Sequence, residues 1–357
     1  MSRVALIRGE DRYENVKGAL AQIANDSDLS DKKRVLIKPN FVVTHNPLAA
    51  THAEAVRAVL EFVRARYDGP LTIAEGPSIQ TAAEGFENYG YQSLARQYDA
   101  RLLDLNHDEA LPARVYDRRL RPLRLELARS VVESDFRISV GPPKTHDIVI
   151  LTLSLKNMIM GSLISRFTHN GHESGEEDGS GLSFGTVTKS LWRMVPGWAK
   201  RLPPVEFLSF WAMSNLEPSD KMKMHQSYPV INLNLALLAP LVAPHLAVID
   251  GFEGMEGNGP THGTAVPLGL AWASTDALAA DVMGARLMGF DPDEVGYLHY
   301  CRQLGLGTGD LSGIEIVGNV SLEEGSRPFR PHDTYHRQRR WQLPDAEAYL
   351  RRPEPSA

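Results

Sequence analysis

Charged and polar side chains follow four apolar runs of this sequence, at the point where each predicted strand ends. The four tips are Lys38-Pro39-Asn40, Glu75-Gly76, Lys144-Thr145-His146 and Asp250-Gly251. Parallel strands place their carboxyl ends at one edge of a sheet, and ligands bind at that edge in open α/β folds. We therefore expect two lysines, a histidine and two acids to converge there.

Three lysines are suited to bind an anion at this edge. Lys38, Lys144 and Lys156 are point charges that can hold a phosphate or a carboxylate, while Asn40 and Asn157 can orient it. Lys156 lies in an otherwise apolar segment, and a buried lysine needs an anionic partner or loses its charge. For one lysine taken alone, a solvated side chain after a strand is the simpler interpretation. The convergence of several favours a site.

Three acids lie on one glycine-rich loop after a short apolar strand. Carboxylates held on such a loop suit a hard divalent cation or proton transfer, and glycines let the backbone approach a ligand. We predict that Asp250, Glu253 and Glu256 bind a divalent metal ion, or that Asp250 and Glu256 move protons. The alternative is a polar turn whose acids simply face water.

The predicted site has a catalytic part and a substrate-binding part. We predict catalytic roles for His146, Lys144, Lys156, Asp250 and Glu256. Thr51 is predicted to cap a helix in a capping box with Glu54, which would add backbone donors for an anion. Besides Lys38, Asn40 and Asn157, the predicted substrate contacts are Thr51, His52, Glu75, Thr145, Gly257, Asn258 and Gly259.

Several familiar signatures are absent. The first strand-to-helix turn lacks Gly-x-Gly-x-x-Gly, so we expect no conventional NAD site, and there is no P-loop or Gly-x-Ser-x-Gly elbow. The single cysteine, Cys301, cannot hold an iron–sulfur cluster and is expected to be a helical core residue. His169 and His172 lack a third ligand nearby, so we predict no metal site there.

Composition narrows the class of protein. A net charge of −6 argues against general nucleic-acid binding, which needs a basic surface. No apolar stretch has the length of a membrane span, and the N-terminus lacks the apolar core of a signal peptide. We predict a cytoplasmic protein whose partner is a small anionic metabolite rather than nucleic acid or membrane. The oligomeric state stays open, a homo-oligomer included.

Strand and helix patterns alternate along much of the chain. This order predicts an α/β fold with a mostly parallel sheet and helices on both faces. A small hairpin within residues 114–127 interrupts the alternation. Among the individual elements, residues 82–98 are predicted to form one helix and residues 265–273 one strand.

We predict a single α/β domain over residues 1–325 with a helical insertion at about 162–227. Residues 191–213 of this insertion contain three tryptophans, which suit a lid, a subunit contact or ordinary core packing. Residues 326–357 form an Arg- and Pro-rich tail that is expected to lie along the surface or to be partly disordered.

The ordered combination of motifs resembles the DUF362 family over roughly residues 35–317. The motifs are Ile37-Lys-Pro-Asn40, Thr51-His52, Pro142-Pro-Lys-Thr-His146, Leu153-Ser-Leu-Lys-Asn157, Asp250-Gly-Phe-Glu-Gly-Met-Glu-Gly-Asn-Gly-Pro260, Asp276-Ala-Leu-Ala-Ala-Asp281 and Gly305-Leu-Gly307. The resemblance implies a cytoplasmic α/β protein. Some members carry a ferredoxin-type iron–sulfur module, which one cysteine cannot form here, so electron transfer would need a partner protein.

Three functions fit these residues. The leading hypothesis is an enzyme of a biosynthetic pathway, with an anion-binding and metal-assisted site for a small phosphorylated or carboxylated metabolite. The second is a non-catalytic binder or carrier of an anionic cofactor, which needs the lysines but no base. The third is a redox enzyme that uses a metal or a separate electron donor.

Overall fold

A computed structural model describes residues 1–78, 80–165 and 219–351. The strands are β1 (Ser2–Arg8), β2 (Val35–Lys38), β3 (Leu71–Glu75), β4 (Ala100–Asp104), β5 (Ala110–Tyr116), β6 (Pro122–Ala128), β7 (Phe136–Gly141), β8 (Lys144–His146), β9 (Ile150–Thr152), β10 (Leu246–Ile249), β11 (Glu253–Glu256), β12 (Thr264–Pro267), β13 (Leu270–Ser274) and β14 (Ile314–Gly318). The α-helices are α1 (Arg12–Gln22), α2 (Ala53–Arg64), α3 (Ala82–Asn88), α4 (Tyr91–Gln97), α5 (Arg129–Val132), α6 (Ser154–Ser162), α7 (Asp220–Lys223), α8 (Tyr228–Val242), α9 (Ala277–Leu287), α10 (Gly296–Gln303), α11 (Leu322–Gly325), α12 (Tyr335–Gln338) and α13 (Ala346–Leu350).

The largest sheet has eight strands in the order β14-β1-β13-β10-β7-β2-β3-β4. Each neighbouring pair is parallel except those of β13, which runs antiparallel to both β1 and β10. The predicted α/β class with a mostly parallel sheet is therefore confirmed. The predicted hairpin is the antiparallel pair β5-β6, and a further sheet has the order β12-β11-β8-β9.

Helices cover both faces of the large sheet, because alternate residues of its strands point to opposite sides. Leu36 belongs to the core formed with helices α6, α8, α9 and α10, whereas Val35 and Ile37 belong to the core formed with α1, α2 and α4. The central strands are buried on both faces, which explains their continuous apolar runs. Cys301 is buried in α10, as predicted, and burial raises the pKa of its thiol.

Two predicted elements are divided in the structure. The predicted helix 82–98 is broken into α3 and α4 at Gly90, whose φ is +77°. The predicted strand 265–273 is split into β12 and β13, which belong to different sheets, with Gly269 at φ +64° between them. Both breaks occur where glycine permits a left-handed backbone that other residues disfavour.

The C-terminal tail packs into the protein over residues 326–351. Phe329, Gln338 and Trp341 are all buried, and Gln338 donates a hydrogen bond of 2.8 Å to the carbonyl of His146. Phe329 and Trp341 join the core, while most other residues of 326–351 are exposed or half-buried. The expectation that the tail lies along the surface or is partly disordered stays a prediction.

Part of the predicted insertion lies outside the described residues. This applies to residues 166–218, including His169, His172 and the tryptophan-containing stretch 191–213. None of the helices in the described ranges combines the length and apolar character that a membrane span requires.

Candidate functional site

A buried ion pair joins the ends of the neighbouring strands β2 and β3. The Lys38 ammonium lies 3.0 Å from both carboxylate oxygens of Glu75 and 3.0 Å from the Asn157 side-chain oxygen. Neither Lys38 nor Glu75 is more than 2% exposed. Burial lowers the pKa of Lys38, and the adjacent Glu75 charge opposes that shift.

Glu75 also organises the backbone around this pair. Its carboxylate accepts hydrogen bonds from the amides of Phe41 (3.1 Å) and Gly76 (2.8 Å). With Lys38 included, both oxygens have more than one donor. Glu75 therefore holds Lys38 and the two amides in place and is not available as a base.

Two asparagines connect this pair to Lys144 on β8. The Asn40 amide donates to the Asn157 oxygen at 2.9 Å, and the Lys144 ammonium contacts the Asn40 oxygen and the carbonyl of Ala49. Burial and the nearby charge of Lys156 lower the pKa of Lys144 well below its usual range. The predicted convergence of Lys38, Asn40, Lys144 and Asn157 is thus present in the structure.

The helix cap predicted at Thr51 lies at His52 instead, while substrate binding by both residues stays a prediction. The Thr51 hydroxyl donates to the carbonyl of Val140 and accepts from the amide of Asn40, both at 2.8 Å, so it ties two strand ends together. The N-cap of α2 is His52, whose Nδ1 accepts from the amide of Glu54 at 3.2 Å. The prediction that Thr51 caps this helix is wrong, because its hydroxyl is already occupied.

Helix α6 positions Lys156 and Asn157, and Asp281 fixes the start of that helix. The Asp281 carboxylate accepts from the amides of Ser154 and Leu155, both at 2.9 Å, and from the Ser154 hydroxyl at 2.6 Å. Asp281 is fully buried, as are Ser154 and Leu155. The placement of Lys156 and Asn157 on α6 therefore depends on Asp281, which is distant from them in sequence.

Lys156 differs from Lys38 and Lys144 because its ammonium has no partner among the described residues. It is only 8% exposed, yet no group in the described ranges forms a hydrogen bond or ion pair with it. Burial lowers the pKa of Lys156 to about 8, while the charge of Asp147 opposes the shift. A buried cation without a partner is costly, so this position suits an anion that is supplied from outside the protein.

His146 lies beside Lys156 at the end of β8. It is 3% exposed, and burial, with the nearby Lys156 charge, lowers the pKa of His146 to about 4. Its Nδ1 accepts from the amide of Ile148 at 3.1 Å, and Asp147 Oδ1 also lies 2.9 Å from this nitrogen. A lone pair on Nδ1 would accept from the amide, whereas a proton there would be donated to the Asp147 carboxylate.

Sequence reasoning missed two residues that belong to this region, Lys221 and His225. Lys221 is 2% exposed and donates to the side-chain oxygen of Asn106 at 2.8 Å, and burial lowers the pKa of Lys221 to about 7. His225 is 8% exposed, and its charge would interact with those of Asp147 and Lys156. Both follow residues 166–218 without any motif, so residue type alone could not have identified them.

The three acids predicted to hold a metal ion are not gathered around one point in the structure, and metal binding by them stays a prediction. The Asp250 carboxylate pairs with the Arg12 guanidinium at 3.1 Å, and burial raises the pKa of Asp250 to about 6. Glu256 accepts from the amide of Arg330 at 2.9 Å, while Glu253 is partly exposed on the same strand. Within residues 1–78, 80–165 and 219–351, no three His, Cys, Asp or Glu side chains are arranged to bind a metal.

The loop after Glu256 contacts β8 and the tail. The Thr145 hydroxyl donates to the Gly257 carbonyl at 2.9 Å, and the Asn258 amide donates to Asp333 at 3.2 Å. A Cβ on Gly259 would lie 2.2 Å from the Thr145 carbonyl oxygen, so the two backbones meet closely there. Substrate binding by Gly257, Asn258 and Gly259 stays a prediction.

A surface cleft of about 500 Å³ lies elsewhere, at the amino ends of β2, β3 and β4. Among the basic side chains that line it, Arg34 and Arg129 both pair with Glu133, at 3.0 and 3.2 Å. The polar cluster is at the opposite edge of the sheet, where parallel strands end, and we consider that edge the functional one.

Residues 35–286 match the domain of unknown function DUF362. The chain belongs to the DUF362 family. The matched range contains all the predicted site residues and the previously missed Lys221 and His225. It ends before the C-terminal tail of this DUF362 protein, whose Gln338 contacts His146.

This DUF362 protein is similar to a thylakoid-associated protein of Synechocystis. The two are 24% identical over 276 residues, which cover 76% of this chain and 68% of the relative. The cytoplasmic location predicted from sequence stays a prediction.

Two solved structures also show similarity to this DUF362 protein. The lactate racemase apoprotein from Thermoanaerobacterium thermosaccharolyticum has a TM-score of 0.43 and 12% identity, covering 80% of this chain and 56% of that one. A protein from Thermotoga maritima has a TM-score of 0.40 and 11% identity, covering 82% of this chain and 59% of that one. This chain thus spans less than two thirds of either structure.

The contact between α6 and Lys38 predicts a strong effect of one added methyl group. A Cβ on Gly161 would lie 1.9 Å from Lys38 Cε, so Gly161→Ala must displace the lysine from Glu75. We expect a loss of about 1–3 kcal/mol in the free energy of unfolding, measured by urea denaturation. Gly18→Ala in helix α1 is the control, because its Cβ would be 3.5 Å from the nearest atom, and there we expect a small gain in stability. Equal stability of the two variants would contradict the packing described for Lys38.

Proposed function

We propose that this DUF362 protein is an enzyme that binds a small phosphorylated or carboxylated metabolite through Lys144 and Lys156 and acts on it by proton transfer. The observation that carries this proposal is Lys156, a residue only 8% exposed whose ammonium has no partner in the described part of the chain. An anion placed against it would remove the cost of a buried, unpaired cation.

The charge balance of the cluster supports an anionic ligand. Lys38, Lys144, Lys156 and Lys221 are each no more than 8% exposed. Glu75 pairs directly with Lys38, whereas Asp147 acts on Lys156 only through its charge, and Glu75, Asp104 and Asp220 act on Lys221 in the same way. Lys156 therefore has no carboxylate in direct contact within the described ranges, and a region of low dielectric constant strengthens its attraction for an anion.

A second candidate is a non-catalytic binder of an anionic cofactor. It is favoured by the engagement of Glu75, because the buried carboxylate nearest to the lysines is fully used by Lys38 and two amides. An enzyme must then take its base from histidine. The proposal does not include a metal ion, because Asp250 is held by Arg12 and Glu256 by Arg330.

The proposal predicts that Lys156→Met weakens the binding of inorganic phosphate, measured by isothermal titration calorimetry at low salt. Loss of a charged hydrogen-bond donor should reduce affinity by roughly tenfold to a hundredfold. Lys33→Met removes an exposed lysine and is the control, with affinity expected to stay within about twofold. Absence of phosphate binding to the wild-type protein, or an equal effect of both substitutions, would refute the proposed anion site.

A further inference from the structure

His225 has a buried imidazole ring, and no role is predicted for this residue from the sequence. Its Nδ1 lies 2.8 Å from the carbonyl oxygen of Lys221, one helical turn earlier. A carbonyl only accepts hydrogen bonds, so Nδ1 must carry the proton. The neutral ring then presents an unprotonated Nε2, and no described residue forms a hydrogen bond with that nitrogen.

His146 lies in the same region, and its Nδ1 has two neighbours. The Ile148 amide is 3.1 Å away and Asp147 Oδ1 is 2.9 Å away, so a lone pair on this nitrogen would accept from the amide, whereas a proton would be donated to the carboxylate. The two imidazoles and Lys156 are close enough for their charges to interact with one another and with Asp147. One small region thus offers a cation and a neutral proton acceptor.

We infer that His225 is the proton acceptor of the site, which takes a proton through Nε2 from a metabolite whose anionic group is held by Lys156. This inference rests on the proposed anion-binding function. The ligand class follows from the chemistry, since it must combine a phosphate or carboxylate with an acidic proton nearby. The ligand loses one proton, and the ring becomes an imidazolium.

The charges around His225 favour this proton transfer. Burial lowers the pKa of His225, and the charge of Lys156 acts in the same direction in the free protein, so the base is neutral at neutral pH. Asp147 has the opposite effect and stabilises the imidazolium once it forms. An anion bound to Lys156 would neutralise the repulsion and increase the basicity of His225 when the ligand is present.

Histidine ring tautomers test the inference directly, by two-bond hydrogen–nitrogen NMR spectra of the full-length ¹⁵N-labelled protein, with His225→Gln for assignment. We expect the Nδ1–H tautomer for His225. His245 is the matched control, because its Nδ1 accepts the Arg137 amide at 3.0 Å and its proton must be on Nε2. An Nε2–H tautomer for His225 overturns the inference.

Titration in the same spectra supplies the second test. Saturating inorganic phosphate should raise the pKa of His225 by about one unit, and Lys156→Met should raise it without phosphate by a similar amount. If calorimetry detects phosphate binding and neither change moves the pKa of His225, this inference fails and the proposed function stands. If phosphate does not bind, the proposed anion site is refuted and the inference fails with it, whatever the effect of Lys156→Met on the pKa of His225.

Discussion

Replacing Glu75 with alanine is expected to lower the free energy of unfolding by about 3–5 kcal/mol. The substitution leaves the Lys38 ammonium fully buried without its carboxylate and removes an acceptor from the amides of Phe41 and Gly76. An uncompensated buried charge costs far more than the ion pair contributes. Urea denaturation followed by circular dichroism measures the change.

Two further variants test whether the loss of stability comes from the unpaired Lys38 charge or from any substitution in this region. Glu87→Ala removes an exposed acid from the neighbouring helix α3 and should change the unfolding free energy by less than about 0.5 kcal/mol. The double variant Lys38→Met/Glu75→Leu replaces both charges with apolar groups and should recover part of the loss. A Glu75→Ala protein with stability close to that of the wild type would show that the pair is not buried as described.

The position of the candidate site could be predicted because it depends on local patterns. Lys38, Glu75 and Lys144 all follow apolar runs, and runs of that kind form the central parallel strands. Neighbouring parallel strands then bring their ends together without further information. The contact between Lys38 and Glu75 needed only the adjacency of β2 and β3.

The contacts that complete the site could not be predicted, because they join distant parts of the chain. His225 enters the region from the chain after residues 166–218, and Gln338 reaches the backbone of His146 from the tail. The acidic loop shows the opposite error. Its spacing suited a metal, but Arg12 and Arg330 bind its carboxylates from outside the loop, and sequence spacing carries no record of such partners.

Asp281 is expected to make stability depend on pH between about pH 4 and pH 7. Burial raises the pKa of Asp281 from 3.8 to about 7, so in this range the folded protein binds a proton that the unfolded chain has released. Its contribution to stability is therefore complete below pH 4 and is lost as the pH rises to 7. One proton corresponds to at most about 1.4 kcal/mol per pH unit.

Comparison with Asp281→Asn isolates this contribution, because asparagine has the same shape and no titratable proton. The difference in unfolding free energy, wild type minus variant, should fall with rising pH across this range in a series of urea denaturations. Asp28→Asn is the control with the opposite sign, since hydrogen bonds from Ser30 lower the pKa of this exposed acid. A difference that rises with pH for Asp281 would mean that the donors of Ser154 and Leu155 outweigh burial and hold a charged carboxylate. In either case Asp281 acts through the start of α6, so its protonation should also alter the position of Lys156.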